Sequence, residues 1–202
     1  MSATFGARGA WGLFGGVVLA ACAPQDIVVA ELPATDAGGA DPCATNDDCP
    51  TGAFCAKAGC GAAAGRCERA PLFCDEVFVP SCGCDGVTYW NDCLRLQASV
   101  DRRGVGECIE QAASCGGREQ RSCPTAGASC ARVVQEPAPC RPIEAPGTCW
   151  KLPVTCPTQA PAMPPIFEAC ALPGVPAPEP CADACNAIRS ERPFRASRAC
   201  RR

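Results

Sequence analysis

The amino-acid sequence predicts a small disulfide-rich fold with little regular structure, built as two tandem cysteine-rich modules. Three observations support this prediction: the 202-residue chain contains 21 cysteines, only 5% of its residues are aromatic, and it has 21 prolines and 20 glycines. Cysteine at about a tenth of the residues is typical of disulfide scaffolds. Small modules of this kind bury little apolar surface, so cross-links must stabilise what a core alone would not.

Charge and histidine content exclude several classes of function. The net charge is −3, and acidic and basic residues are interspersed, so no nucleic-acid partner is predicted. The chain has no histidine, which Ser-His-Asp and Cys-His mechanisms require and most zinc enzymes use. Carboxylates such as Asp47, Asp48 and Glu76 are present, but acid–base catalysis needs a shaped pocket, and two small stapled modules are poor hosts for one. We therefore predict a protein that is not an enzyme and carries no cofactor.

The first 21 residues predict export from the cytoplasm. They carry one charge, Arg8, followed by an apolar run from Trp11 to Ala21. The run is too short for a permanent transmembrane helix but fits the apolar part of a secretory signal. It ends in Leu19-Ala20-Ala21-Cys22, which resembles the lipobox of bacterial lipoproteins. The resemblance implies cleavage before Cys22 and lipidation of its thiol. The alternative is an ordinary signal peptide followed by an incidental cysteine.

Lipidation would anchor the mature chain to a lipid bilayer of the bacterial cell envelope through Cys22. Residues 22–42 show no periodicity and are predicted to form a flexible tether. Ala23 stands where an aspartate favours inner-membrane retention in enterobacteria, so the sequence resembles one sorted to the outer membrane; which membrane and leaflet are reached stays open. The 20 cysteines after Cys22 are an even number in a compartment where disulfides persist. We therefore predict disulfides and no metal, because a four-cysteine zinc site would need reduced thiols.

The spacing of these 20 cysteines indicates an internal duplication. They divide into two sets of ten, from Cys43 to Cys108 and from Cys115 to Cys200. A Cys-Pro-Thr sequence begins at the second cysteine of each set, Cys49 or Cys123, and the last two cysteines of each set enclose 14 residues. Each module is predicted to contain an N-terminal cysteine-rich piece followed by a second piece: 43–73 and 74–108 in the first module, 115–155 and 156–200 in the second.

Within 74–108 the local sequence predicts a hairpin strand followed by one helix. Residues 75–79 are expected to run extended, and Asp85-Gly86 is a turn signal before the β-rich Val87–Trp90. Asn91 is a good N-cap for a helix that begins at Asp92.

That helix is expected to be amphipathic. Its apolar positions Cys93, Leu96 and Val100 recur at helical spacing, which predicts about two to three turns. Gly104 and Gly106 are expected to end it.

The stretch Cys74–Cys93 resembles a Kazal-type domain, the fold of one class of serine-protease inhibitors and of half of the follistatin-like module. The resemblance rests on Gly83-Cys84-Asp85-Gly86, on Thr88-Tyr89 and on Asn91-Asp92-Cys93. It implies a Kazal-like short β-hairpin plus one α-helix. The second module lacks these motifs and has a proline-rich stretch, 157–180, so its Kazal-like character rests on cysteine spacing alone.

The resemblance also implies a disulfide pattern. The family pairing gives Cys74–Cys93 and Cys82–Cys108, and the same pairing in the second module gives Cys156–Cys185 and Cys170–Cys200. A third family bridge reaches a helix position that is Leu96 here, while Cys84 is an addition to the family pattern. We therefore expect a replacement bridge, Cys67–Cys84, and pairing of the four cysteines further upstream among themselves.

In inhibitory Kazal domains, the loop that corresponds to the segment between Cys74 and Cys82 enters a protease cleft like a substrate. By resemblance, the loop here carries four reactive-site positions, P2 to P2′: Asp75, Glu76, Val77 and Phe78. The scissile bond would join Glu76, at P1, to Val77, at P1′. Asn91 would hydrogen-bond the loop backbone, and we expect Tyr89 and Pro80 to support the loop as well.

Two functions remain open on these grounds. We favour a membrane-anchored protein-binding or structural module, whose partner would be another envelope protein. The alternative is inhibition of a secreted serine protease by substrate-like insertion of residues 75–78. Glu76 would suit only a protease with a basic specificity pocket, and desolvating Asp75 beside it without a partner would cost about a few kcal/mol. The sequence does not identify the partner.

Overall fold

The computed structural model describes residues 41–135, 145–157, 166–171, 181–197 and 200. All of them belong to one compact unit, Thr35–Arg202. The predicted signal peptide, Cys22, most of the tether and most of the proline-rich stretch lie outside the described residues. In the part of the chain that is described, no helix is long and apolar enough to cross a membrane.

The described residues form eleven short strands, two α-helices and one 3-10 helix, which agrees with the predicted disulfide-rich fold with little regular structure. In chain order the elements are β1 Pro42–Cys43, the 3-10 helix Asn46–Asp48, β2 Ala53–Lys57, β3 Gly65–Arg69, β4 Ser81–Gly83, β5 Thr88–Tyr89, α1 Asp92–Gln97, β6 Arg102–Val105, β7 Ser114–Gly116, β8 Ser129–Ala131, β9 Pro146–Lys151, β10 Phe167–Ala169, α2 Ala184–Arg189 and β11 Phe194–Ala196.

The second piece of the first module contains a three-stranded antiparallel arrangement, β6-β4-β5, with α1 between β5 and β6 in the chain. Asp85-Gly86 forms the predicted turn: the Asp85 carboxylate accepts a hydrogen bond from the backbone N–H of Val87 at 3.1 Å. Gly86 has a φ of 77°, and a Cβ there would lie 2.6 Å from the carbonyl oxygen of Gln111. Only glycine fits both constraints.

Helix α1 begins where predicted but is shorter and buries a different side chain. It ends at Gln97, and Gly104, expected to end it, lies in β6. Leu94 is 5% exposed and belongs to the core, whereas Leu96, predicted on the buried face, is only partly covered. The helix stops early because the chain must turn back so that β6 can pair with β4.

The ten cysteines of the first module pair only with one another: Cys43–Cys55, Cys49–Cys67, Cys60–Cys84, Cys74–Cys93 and Cys82–Cys108. The last two are the bridges that the Kazal resemblance implies. The expected Cys67–Cys84 bridge is wrong, and of the four upstream cysteines only Cys43 and Cys55 pair with each other. Cys67 is 4% exposed in β3, inside the three-stranded sheet β1-β3-β2, where it bonds Cys49. Cys60 lies in the exposed loop between β2 and β3, and that loop is what reaches Cys84.

The N-terminal piece of the second module repeats that of the first. Its strands have the order β7-β9 with β8 on the other side of β9, the same arrangement as β1-β3-β2. Cys130 faces Cys149 as Cys55 faces Cys67. In both modules a disulfide joins the first cysteine of the set to the third, and another joins the second to the fifth. In the second module these bridges are Cys115–Cys130 and Cys123–Cys149. These correspondences support the duplication inferred from spacing.

The described elements in the C-terminal piece of the second module follow the same order as those in the second piece of the first. Strands β10 and β11 are antiparallel, and α2 precedes β11 as α1 precedes β6. The bridge Cys156–Cys185 reaches the second residue of α2, as the resemblance implies and as Cys74–Cys93 does for α1. Ala182 forms a single antiparallel bridge with Phe167, where the first module has strand β5.

The expected Cys170–Cys200 bridge is wrong, because Cys200 bonds Cys181. Cys170, itself disulfide-bonded, directly follows β10, which is the place that Cys84 has after β4. Cys181 directly precedes Ala182, the residue that bridges to Phe167. Cys181 therefore corresponds to a position on β5, and that position lies opposite Cys82 on β4. Facing residues on paired strands lie about 5 Å apart, so a cysteine on either strand can reach the last cysteine.

The two modules are joined by one sheet and by one core cluster to which both contribute. Strand β5 pairs in parallel with β9, and this pairing joins the Kazal-like strands to the sheet of the second module. Tyr89, Trp90 and Leu94 of the first module lie in one buried cluster with Trp150 and Ile188 of the second. The modules are therefore tandem in sequence but not independent in structure.

Tryptic peptide mapping under non-reducing conditions should distinguish the observed pairing from the expected one. Cleavage after Lys57, Arg66 and Arg69 places Cys60 and Cys67 in separate peptides. We expect peptide 58–66 to be linked to peptide 70–95, which contains Cys84, and peptide 67–69 to be linked to the one that contains Cys49. A mass for 67–69 linked to 70–95 would contradict the structure.

A candidate binding loop between Cys74 and Cys82

The loop from Cys74 to Cys82 is partly exposed and is anchored by a disulfide at each end. Cys74 is bonded to Cys93 on α1, and Cys82 is bonded to Cys108 beyond β6. Between them, Asp75, Glu76, Val77 and Val79 are exposed, and the two valines are 58% and 57% accessible. The chain thus presents a short apolar and acidic stretch on a fixed base.

Asn91 holds the loop from beneath, as the resemblance implies. Its side-chain amide donates to the carbonyl oxygens of Asp75 at 2.9 Å and Val77 at 3.2 Å, on either side of Glu76. Its side-chain oxygen accepts from the backbone N–H of Leu94 at 3.0 Å and so caps α1. Because Asn91 is only 5% exposed, these hydrogen bonds are shielded from water, and one side chain joins the loop to the start of the helix.

Trp90 is a second support, which the sequence reasoning missed. Its indole N–H donates to the carbonyl oxygen of Glu76 at 2.9 Å, and its backbone oxygen accepts from the N–H of Val79 at 3.1 Å. The ring of Phe78 packs on the indole with centroids 4.4 Å apart. Phe78, which the resemblance makes P2′, is therefore partly covered by the domain. The available signal was a tryptophan next to the asparagine, in a chain with three tryptophans.

The other two predicted supports occupy different places. The carbonyl oxygen of Pro80 accepts from Gly106 N–H at 2.8 Å, which ties the end of the loop to the end of β6. Tyr89 is fully buried, and its hydroxyl donates to the Asp85 carboxylate at 2.8 Å, beside the hydroxyl of Thr125. Burial raises the pKa of Tyr89 above its ordinary value. Tyr89 therefore stabilises the turn and the junction between modules, and it reaches the loop only through its neighbours.

Helix α1 is joined to β4 through the Asp92 carboxylate, which also forms a charged pair within the helix. The Asp92 carboxylate accepts from Arg95 Nε at 2.7 Å and from the Ser81 hydroxyl at 2.9 Å. The hydrogen bond from Arg95 holds the pKa of Asp92 below its ordinary value. Arg95, 6% exposed, also donates to the carbonyl oxygen of Val100. These contacts keep the asparagine and tryptophan at a constant position relative to the loop.

Residues 63–108 match the family model of the Kazal-type serine protease inhibitor domain. This part of the chain is a Kazal-type domain. The match ends at Cys108 and starts eleven residues before Cys74, so it includes Cys67 in β3. No curated protein matches the chain. Kazal-type domains act as protease inhibitors or protein-binding modules, which fits a role other than catalysis.

Two groups of three cysteine sulfurs lie close enough together to suggest a metal site. They are Cys43, Cys49 and Cys67 in the first module and Cys115, Cys123 and Cys149 in the second. Every one of these sulfurs is in a disulfide, whereas a metal ligand must be a thiolate. Each group consists of neighbouring cystines in the core of a small sheet.

Replacing Asn91 by alanine should loosen the loop and lower the free energy of unfolding by about 1–3 kcal/mol, because it removes an N-cap and two buried hydrogen bonds. Denaturant unfolding would measure the stability, and hydrogen exchange on a peptide covering 74–80 would measure the loop.

Asp183→Ala is the matched control. Asp183 caps α2, a helix of the same length, through a 2.8 Å hydrogen bond from the backbone N–H of Asn186. The Asp183→Ala substitution should lower the free energy of unfolding by about 1 kcal/mol and leave hydrogen exchange of the 74–80 peptide unchanged. Equal loop exchange in wild type and Asn91→Ala would contradict the supporting role.

Proposed function

We propose that the protein is a lipid-anchored envelope protein whose Kazal-type domain binds another protein through the loop of residues 75–79. The observation that carries this proposal is the fixed loop backbone: Asn91 and Trp90 bind three consecutive carbonyl oxygens, those of Asp75, Glu76 and Val77. A loop that is already ordered loses little conformational entropy on association. Its exposed side chains are thus available for contact at low entropic cost.

The hydrogen bonds of Glu76 favour binding over protease inhibition. Substrate-like insertion requires the P1 carbonyl oxygen to enter the oxyanion hole and the P1 side chain to enter the specificity pocket. Here the Glu76 carbonyl oxygen already accepts from Trp90, and its carboxylate accepts from the Thr155 hydroxyl of the second module. Both groups would have to exchange partners before a protease could engage them.

Inhibition of a glutamate-specific serine protease is the second candidate. Two observations favour it: the match to a Kazal-type inhibitor domain, and the bonds of Asn91 to the carbonyl oxygens flanking Glu76. Inhibition constants of Glu76→Ala and Glu76→Leu against a panel of secreted serine proteases separate the two functions. An inhibitor loses potency in these variants, and a binding module shows no inhibition before or after substitution.

The loop proposal predicts that Val77→Asp reduces capture of a partner from envelope extracts about tenfold or more. An exposed aliphatic side chain at the centre of a binding loop makes apolar contacts that a carboxylate cannot make. The substitution should leave the fold intact, because the Val77 side chain is 58% exposed and its contact with Asn91 uses only the backbone.

Ile109→Asp is the matched control, since Ile109 is 89% exposed and lies outside the loop. Capture that falls equally in both variants, or in neither, would contradict a binding site at the loop.

The anchoring proposal rests on the sequence Leu19-Ala20-Ala21-Cys22. We predict that the mature chain begins at an acylated Cys22 and partitions into detergent. Cys22→Ser should abolish both the acylation and the partitioning into detergent. Ser2→Ala, at the start of the predicted signal peptide, should change neither property. The mass of the mature N-terminal peptide decides between this outcome and an ordinary signal peptide, for which Cys22 would carry no lipid.

A further inference from the structure

The second module touches the loop of the first at Glu76. The Thr155 hydroxyl donates to a carboxylate oxygen of Glu76, across 79 positions of sequence. Both residues are exposed, so the contact lies at the outer surface of the joined modules. It falls on the position that the Kazal resemblance makes P1.

Thr155 is held in place from within its own module. Arg189, the last residue of α2, donates to the carbonyl oxygen of Val154 at 2.6 Å and to that of Pro153. The next residue, Cys156, is bonded to Cys185 on the same helix. Thr155 is thus fixed on both sides, and the helix of the degenerate Kazal-like piece sets its position.

Glu76 is therefore held at two atoms by two different modules. Its carbonyl oxygen binds the indole of Trp90, which is 3% exposed, and its carboxylate binds Thr155. A serine protease with a basic specificity pocket would need both groups for its own oxyanion hole and pocket.

We propose that the second module is a latch on Glu76, with Thr155 and Arg189 as positioning residues, which closes the Glu76–Val77 bond to glutamate-specific serine proteases. The proposal rests on the proposed function only in taking the loop as a contact surface. The latch gives the second module a role. By binding the Glu76 carboxylate, which an inhibitor must present to a protease, this module keeps the Kazal-type domain from acting as an inhibitor.

The test uses the mature chain with its disulfides intact and a glutamate-specific serine protease. Hydrolysis of the Glu76–Val77 bond consumes one water and creates a Val77 amino terminus, which peptide mapping after reduction detects separately from cleavage at other glutamates. Residual protease activity reports inhibition in the same sample.

We expect the wild type to be cleaved only slowly at Glu76–Val77 and to inhibit weakly at most. Thr155→Val keeps the shape of the side chain and removes its donor, so cleavage or inhibition at this bond should rise about tenfold above the wild-type level, the scale of one lost hydrogen bond. Arg189→Met, which keeps the stem and removes both contacts to the Pro153–Val154 backbone, should act in the same direction.

Thr155→Ser keeps the hydroxyl and should behave as wild type. Thr51→Val is the matched control, because Thr51 is an exposed threonine in the turn before β2. Thermal unfolding of each variant reports whether the fold is retained. The latch is overturned if Thr155→Val and wild type are equally resistant, or if wild type is cleaved or inhibits as readily as Thr155→Val.

The latch and the binding function can fail separately. If Thr155→Val opens the bond while Val77→Asp leaves partner capture unchanged, the latch stands and the loop is not the binding site. If partner capture depends on Val77 while Thr155→Val changes nothing, the binding site stands and the second module is not a latch.

Discussion

The hydrogen bonds of Trp90 connect the three parts of the molecule on which its proposed function depends. The backbone N–H of Trp90 donates to the carbonyl oxygen of Lys151 in the second module at 2.9 Å, and its backbone oxygen accepts from Val79 in the loop at 3.1 Å. Its indole binds the carbonyl oxygen of Glu76 and packs against Phe78. Trp90 thus directly follows β5, supports the loop and contacts β9. A displacement of one module relative to the other would be transmitted to the loop through this residue, as well as through the contact of Thr155 with Glu76.

Cross-links make such a junction possible in a chain with few large apolar side chains. The disulfides restrict the unfolded chain, each contributing about 2–4 kcal/mol, so that the core need not supply all of the stability. The few large side chains can then be used at the junction. Tyr89 and Trp90 meet Trp150 and Ile188 between the modules, while the first small sheet is packed mainly around cystines. Covalent bonds hold the pieces, and aromatic packing sets how they meet.

The sequence predicted the elements that depend on local chemistry. The Asp85-Gly86 turn, the cap at Asn91 and the two Kazal bridges depend on residues close in sequence or on a recognisable motif. The partner of Cys84 could not be predicted in this way. It depends on which cysteine the pairing of β2 with β3 leaves in the connecting loop, and this pairing is a tertiary property.

The candidate site, like the fold, was predictable only where it depends on a local motif. The loop positions and Asn91 followed from the motif, whereas the contact of Glu76 with Thr155 joins residues far apart in sequence that nothing local relates. The role of Tyr89 was misjudged, and that of Trp90 was missed, for a related reason. In a strand, successive side chains point to opposite faces, so adjacent residues serve different surfaces. Which face meets the loop depends on how the sheet lies beneath it.

The two helix caps differ in what else their side chains can bind. Asn91 and Asp183 both accept the hydrogen bond that starts their helices. Only an asparagine also carries an N–H₂ group, and in the first module this group binds the loop carbonyl oxygens. An ionised aspartate has no donor, so Asp183 can start α2 but cannot support a loop in the way that Asn91 does. Helix α2 instead holds the backbone of residues 153–154 through Arg189, and this places Thr155 against the loop of the first module.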